Sequence, residues 1–229
     1  MKPVSFATLI QSVLITLLLS FVLTVSEVSA TDFNSADLME GEDYHLISPP
    51  IPPSGDKPEI VEVFNFHCPH CYYLHPHFDR WAKQNSSRFT VKALPIFWGN
   101  QSDIPARAYY TAEFMGKGIE MKDAIFKARF VDGIDIDNFG ELIFVVEAVG
   151  LDPDLFKQNM KSFGVIAKLA QARTLKESYG VSGTPMLVVN GKYRVPPSSG
   201  KSLATPEELA SDDTKWNGLL RAIEALAVK

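Results

Sequence analysis

The stretch Phe66–Tyr73, FHCPHCYY, holds both cysteines of the chain, Cys68 and Cys71, with only Pro69 and His70 between them. Just before it, Glu59–Phe66 (EIVEVFNF) is β-branched and aromatic, the composition of a buried strand. Just after it, Pro69 suits the first position of a helix, and HCYYLHPHFDRWAKQ continues with helical apolar spacing. Pro76 falls inside that helix and is expected to kink it, because proline removes a backbone donor. Arg88–Phe97 (RFTVKALPIF) reads as a second strand. Strand, helix and strand within about 40 residues make a βαβ unit with a parallel pair.

Upstream, SPPIPPSGDKP is an irregular lead-in after a short strand around Tyr44–Ile47. Downstream, from Asp103 to Tyr179, the pattern is helical throughout. Asp137 is placed to cap NFGELIFVVEAV, which stops at Gly150; Pro153 opens DLFKQNMKSF; VIAKLAQARTLKESY ends at Gly180. PMLVV-NG-KYRV then predicts a hairpin turning at Asn190-Gly191. TPEELASDDTKWNGLLRAIEAL closes the chain as a helix, with Thr205 as cap, Pro206 at the first turn and Glu208 completing a capping box. The order is βαβ, a helical block, then ββα.

The 229 residues are 46% hydrophobic and 21% charged, an ordinary globular balance. Residues 1–30 read as an export signal: Lys2, an apolar run, and small residues at Val28–Ala30 where cleavage is expected. An uncleaved anchor helix is the alternative, since the run approaches the roughly 20 residues that span a bilayer. Lys2 and Glu27 cancel, so removing the segment leaves the net charge at −5. That mild acidity gives no sign of nucleic-acid binding, which needs a basic patch. Export implies a compartment where disulfides persist, but about 200 residues with one Cys-x-x-Cys are not a disulfide scaffold. A bridge closing so short a loop removes little unfolded-chain entropy, so a structural staple is a weak reading.

A reactive pair accounts for the motif better. The thiolate is the attacking form of cysteine, and unpaired N–H groups at a helix start stabilise it. Cys68 stands just before Pro69, where that field is strongest, and Cys71 lies one turn further in. A protonated or N–H-donating His70 adds a second stabilising group. Zinc held by Cys68, Cys71, His75 and His77 is the competing reading. Such sites need a longer loop between the cysteine and histidine pairs, and His75 and His77 point to different helix faces. They are expected to be surface residues beside the site, and no metal or cofactor is expected.

Two further signals bear on the site. Gly180–Pro185 (GVSGTP) places a proline immediately before a strand. A cis Thr184–Pro185 bond would leave the backbone of Thr184 facing outward, able to receive an extended peptide. A trans proline starting an edge strand reads equally well. Glu62 interrupts an apolar strand on the face of Phe64, and Lys92 occupies the middle of the neighbouring strand. The two read as a buried pair handling the proton of Cys71, or as a structural ion pair.

FNFHCPHCYYLHP, GVSGTPMLVVNGKY and the helical block between them resemble the DsbA family of exported thiol-disulfide oxidases in the thioredoxin superfamily, across essentially the whole mature chain. The resemblance implies a thioredoxin fold from residues 31–102 and 180–229, with residues 103–179 as an inserted all-helical subdomain. It also implies Cys68 as nucleophile, Cys71 as resolving thiol, a redox-active Cys68–Cys71 disulfide, and Pro185 as a cis-proline. Glu62 and Lys92 match the family's buried acid and lysine, and Pro76 its helix-kinking proline. Two positions depart: Thr184 stands where valine is common, and His67 where an aromatic is frequent.

The activity implied is donation of the disulfide to newly exported, reduced or unfolded proteins in the periplasm. Reoxidation would come from a quinone-linked membrane protein of the DsbB kind, and the chain is expected to be a monomer. A reductase or isomerase of the same superfamily, and a peptide-binding holdase without redox turnover, are the rival readings.

Overall fold

The computed structural model describes residues 35–201, 208, 211, 212 and 214–229. The expected signal at 1–30, and the caps expected at Thr205 and Pro206, lie outside these residues. After a 3₁₀ turn at Ser35–Asp37 come β1 (His45–Leu46), β2 (Glu59–Phe64), α1 (Pro69–Gln84) and β3 (Thr90–Pro95). Five helices follow: α2 (Ile104–Phe114), α3 (Gly118–Lys127), α4 (Phe139–Ala148), α5 (Pro153–Asn159) and α6 (Phe163–Ser178). Strands β4 (Met186–Val189) and β5 (Tyr193–Val195) and helix α7 (Asn217–Ala227) end the chain. This is the βαβ, helical insertion and ββα order of a thioredoxin fold. No helix among the described residues is long and apolar enough to cross a membrane.

The strands form one sheet in the order β1-β5-β4-β2-β3. β2 pairs in parallel with β3 and antiparallel with β4, so it is central, and all six of its residues are buried. Alternation sends Ile60 and Glu62 to one face and Glu59, Val61 and Val63 to the other. The first face is closed by α1 and α7: Ile60, Leu187 and Val189 pack with Leu74, Phe78, Trp81, Leu219, Ile223 and Leu226. Val61, Val63, Met186 and Val188 join a second cluster with Phe126, Leu142, Val165 and Leu169 of the insertion. Burying one such side chain contributes roughly 1.5–3 kcal/mol.

Local chemistry sets the element ends. Asp152 accepts from Leu155 N–H at 2.7 Å and Ser162 from Val165 N–H at 3.4 Å, capping α5 and α6. The cap of α4 is Asn138, which accepts from Gly140 N–H at 2.9 Å, rather than Asp137; Asp137 is drawn away by a partner described below. Helix α3 continues as a π-helical stretch, Ala128–Asp132, which the sequence pattern did not reveal. The hairpin turns at Asn190 and Gly191, with φ of 52° and 58°. The mirror-image turn that matches strand twist requires positive φ at both positions. Asn190 also accepts from Glu59 N–H at 2.9 Å and donates to Ala227 C=O at 3.0 Å, tying the turn to β2 and α7. At Gly191 a Cβ would lie 1.7 Å from Ile51 O, so only glycine fits.

Candidate redox site

The chain leaves β2 at Phe64 and must turn before α1 begins. Asn65 makes that turn: its side chain donates to Ile96 C=O at 2.9 Å and to Gln101 Oε1 at 2.8 Å, and accepts from His67 N–H at 2.7 Å. Its backbone C=O accepts from Cys68 N–H at 3.0 Å. The role of this buried asparagine was missed in the sequence reading; its only signal is a polar residue at the end of an apolar strand. Cys68 is the N-cap of α1 in an extended conformation with Pro69 next, and its C=O accepts from Cys71 and Tyr72 N–H.

The Thr184–Pro185 bond is cis, and β4 sets it beside Cys68. The Cys68 thiol donates to Thr184 C=O at 3.2 Å across a sequence separation of 116 residues. Both cysteines are free thiols, Cys68 half-buried and Cys71 buried. Their environments push them in opposite directions. Cys68 is lowered from 9.0 to about 5, above all by the hydrogen bond from the Cys71 thiol. Burial opposes the shift, and the Thr184 hydroxyl and the backbone N–H groups of Cys71 and His70 add to it. Cys71 is pushed far above the ordinary thiol range, by burial first and then by Cys68. The pair therefore ionises at Cys68 while Cys71 keeps its proton. Here His70 contributes its backbone N–H; its ring is exposed.

The predicted Glu62–Lys92 pair does not form. In the parallel register Lys92 is opposite Val61, and Glu62 is opposite Ala93, so Lys92 projects from the other face. It lies 2.6 Å from Glu59 and donates to Ser54 Oγ, with its side chain 44% exposed. The partner of Glu62 is Lys122 of α3, whose Nζ is 2.5 Å from Glu62 Oε2 and 2.9 Å from Asp79 Oδ1. Glu62 is 1% exposed, and burial raises its pKa while Lys122 opposes the shift.

Nor is His75 a surface residue. It is 5% exposed, packed against Phe126, with Nδ1 at 3.3 Å from Asp79 Oδ2 and Nε2 in contact with Asp123. His75, Asp79 and Asp123 are close enough together to surround a cation. However, the two carboxylates flank opposite nitrogens of one ring, and although burial disfavours the imidazolium, Asp123 and Asp79 favour it. His67, next to Cys68, pairs through Nε2 with Asp137 at 3.1 Å, which explains why Asp137 is not a helix cap. Phe130 of the π-helical stretch stacks on Tyr72 of α1 with ring centres 5.0 Å apart.

The geometry agrees with comparisons to known proteins. The family model described as DSBA-like thioredoxin domain matches residues 59–204. The thiol:disulfide interchange protein DsbA of Azotobacter vinelandii is 32% identical over 166 residues, 72% of this chain and 78% of that protein. The crystal structure of Pseudomonas aeruginosa DsbA superposes with a TM-score of 0.70 at 29% identity, covering 86% of this chain and all of that one. Proteus mirabilis DsbA, crystallised with a non-covalently bound peptide, shares the fold with a TM-score of 0.68 at 20% identity. A cysteine pair polarised in this way at a helix start, on a chain so matched, makes the protein a disulfide oxidoreductase belonging to the DSBA-like thioredoxin domain family.

Proposed function

We propose that this oxidoreductase works as a disulfide donor, with Cys68 as the sulfur that substrates attack. The observation that carries the reading is the polarisation of the pair, with Cys68 at about 5 and Cys71 pushed far up. In the oxidised enzyme a substrate thiolate attacks Cys68, which forms the mixed disulfide, and the S–S electron pair leaves on Cys71, which takes a proton. A second substrate thiolate attacks the substrate sulfur and releases Cys68 as a thiolate. A substrate dithiol thereby loses two electrons and two protons. One proton stays on Cys71, and the other goes to solvent. Departure of Cys68 is easy because a low-pKa thiol leaves fast.

Thr184 and Pro185 form the receiving edge for an extended polypeptide, and Pro69 and His70 shape the helix start. Glu62 exchanges the proton of Cys71. The peptide bound to the Proteus mirabilis fold relative supports a protein substrate. We further propose that residues 1–30 export the chain to the periplasm, where it acts as a monomer on reduced, newly exported proteins. A DsbB-like membrane protein then returns its disulfide.

The test is the redox equilibrium of the purified mature chain against glutathione, with reoxidation of a reduced substrate protein followed in parallel. A donor should be oxidised only in strongly oxidising mixtures and should oxidise the substrate stoichiometrically. A pair that stays oxidised in reducing mixtures would instead make the chain a reductase. Replacing both cysteines by serine must abolish activity; persistence would favour a holdase.

A further inference from the structure

Strand β3 is an open edge of the sheet, since its single strand neighbour is β2. In the parallel ladder Thr90 N–H donates to Pro58 C=O and Ile96 N–H donates to Phe64 C=O. The even-numbered residues of β3 therefore turn their peptide groups toward β2, and the odd-numbered residues turn theirs outward. Val91 and Ala93 each present an N–H and a C=O to the edge, and none of these groups has a partner among the described residues. Pro95, which has no N–H, ends the run. An edge with free donors and acceptors is a template for another strand.

This edge lines a groove of about 1200 Å³, larger than the roughly 300–1,000 Å³ of most small-molecule pockets. Helix α1 and the insertion cover opposite faces of the sheet and form its two walls. Arg80 and Lys83 lie on the α1 wall, and Ile119 of α3 and Leu175 of α6 on the other. Every carboxylate lining the groove already faces a lysine or a histidine, from Glu59 with Lys92 to Glu113 with Lys168. Arg80 and Lys83, three residues apart on one face of α1 and both exposed, have no partner among the described residues. Ile119 is 69% exposed.

We propose that this groove is a docking site for a polypeptide segment in extended conformation, which adds to the sheet beside β3 and carries carboxylates on alternate residues. Side chains of a strand alternate, so one set faces α1 and the other faces the insertion. Carboxylates of the first set meet Arg80 and Lys83, and apolar residues of the second meet Ile119 and Leu175. Backbone bonds to Val91 and Ala93 hold the segment whatever its sequence, while the two walls select it. A second copy of this chain would bring the same edge with the same two cations, and like charges oppose that pairing. Strand β2 separates this edge from β4, which follows Thr184 and Pro185, so the two places that receive an extended chain are distinct. Docking here requires no thiol chemistry.

The experiment uses the mature chain, labelled with heavy nitrogen, and two acetylated, amidated heptapeptides. One alternates glutamate with valine, the other lysine with valine, and neither contains cysteine. Amide hydrogen exchange is read residue by residue by NMR. With the glutamate peptide at about ten times its Kd, the Val91 and Ala93 amides should exchange about tenfold more slowly. The Lys92 and Leu94 amides, already bonded to β2, should not change. Arg80→Glu combined with Lys83→Glu should reverse the preference, losing the glutamate peptide and gaining the lysine one. Unslowed exchange at Val91 and Ala93 in millimolar glutamate peptide overturns the inference. Equal slowing by both peptides also overturns it, as does slowing that grows with protein concentration alone, which would assign the edge to a second copy.

Discussion

Acidification from pH 7 to pH 4 should change the stability difference between the two redox forms by about 1–3 kcal/mol. Cys68 falls from 9.0 in an ordinary thiol to about 5 in the fold. A depressed folded-state value stabilises the reduced fold fully above the unfolded value. The effect shrinks by about 1.4 kcal/mol per pH unit below that, and it vanishes beneath the folded value. At pH 7, about two units above the folded value, the upper bound is about 2.7 kcal/mol. Cys68 is only half-buried, and solvent screening brings this to roughly half. Cys71, pushed upward, is protonated in folded and unfolded chains at both pH values and adds nothing. The oxidised form has no thiol to ionise, but its four-residue bridge removes unfolded-chain entropy worth about 1.9 kcal/mol. The oxidised form should therefore lead by about 2 kcal/mol at pH 4, and at pH 7 the lead should shrink to a fraction of that or reverse. Urea unfolding of both forms at the two pH values measures the gaps, and carboxylates common to both forms cancel. Gaps that agree within about 0.5 kcal/mol would refute the stabilised thiolate. At pH 7 the same stabilisation of the reduced fold raises the reduction potential of the pair by about 30–60 mV over that of an unfolded dithiol.

Other outcomes follow from particular contacts. Brief alkylation of the reduced protein at pH 6 should label Cys68 and spare buried Cys71, as read by mass mapping. Thr184→Val removes a hydroxyl that stabilises the thiolate, so the alkylation midpoint of Cys68 should move to higher pH. Lys92→Met should leave thiol-disulfide kinetics unchanged but cost about 1–3 kcal/mol in thermal unfolding, because it takes the paired cation from the buried Glu59 carboxylate. Gly191→Ala should cost about 3 kcal/mol or more by urea unfolding, since the new methyl collides with Ile51 O at a position of positive φ.

What was legible in the sequence was local. Asn190-Gly191 announces its turn because few residues tolerate positive φ, and Cys68-Pro69 announces a helix start because proline is favoured in the first turn. The place of Glu62 inside an apolar strand pointed to a buried carboxylate, and it is buried. Its partner was not legible. Choosing between Lys92 and Lys122 requires the β2–β3 register, in which one residue of shift exchanges the faces, and the packing of α3 on α1. His75 was misjudged for the same reason: a histidine on an amphipathic helix looks exposed until a second helix covers it. Asp137 was read as a cap because it precedes a helical run, and only the fold brings His67 to it. Nothing in the spacing marked Asn65, whose partners Ile96 and Gln101 lie about 30 residues onward.

The contact between Cys68 and Thr184 also imposes an order of assembly. Cys68 is synthesised 116 residues before the threonine that receives its thiol. At ordinary ribosomal speeds this is an interval of ~6–23 s. During it the nascent chain carries a helix start with two thiols but neither the Thr184 carbonyl nor the hydroxyl, and β2 waits for β4 along one edge. A truncated chain ending inside the insertion thus has a cysteine pair without the partner strand that makes it selective. The length of the insertion therefore sets how much chain must be made between the two halves of the site.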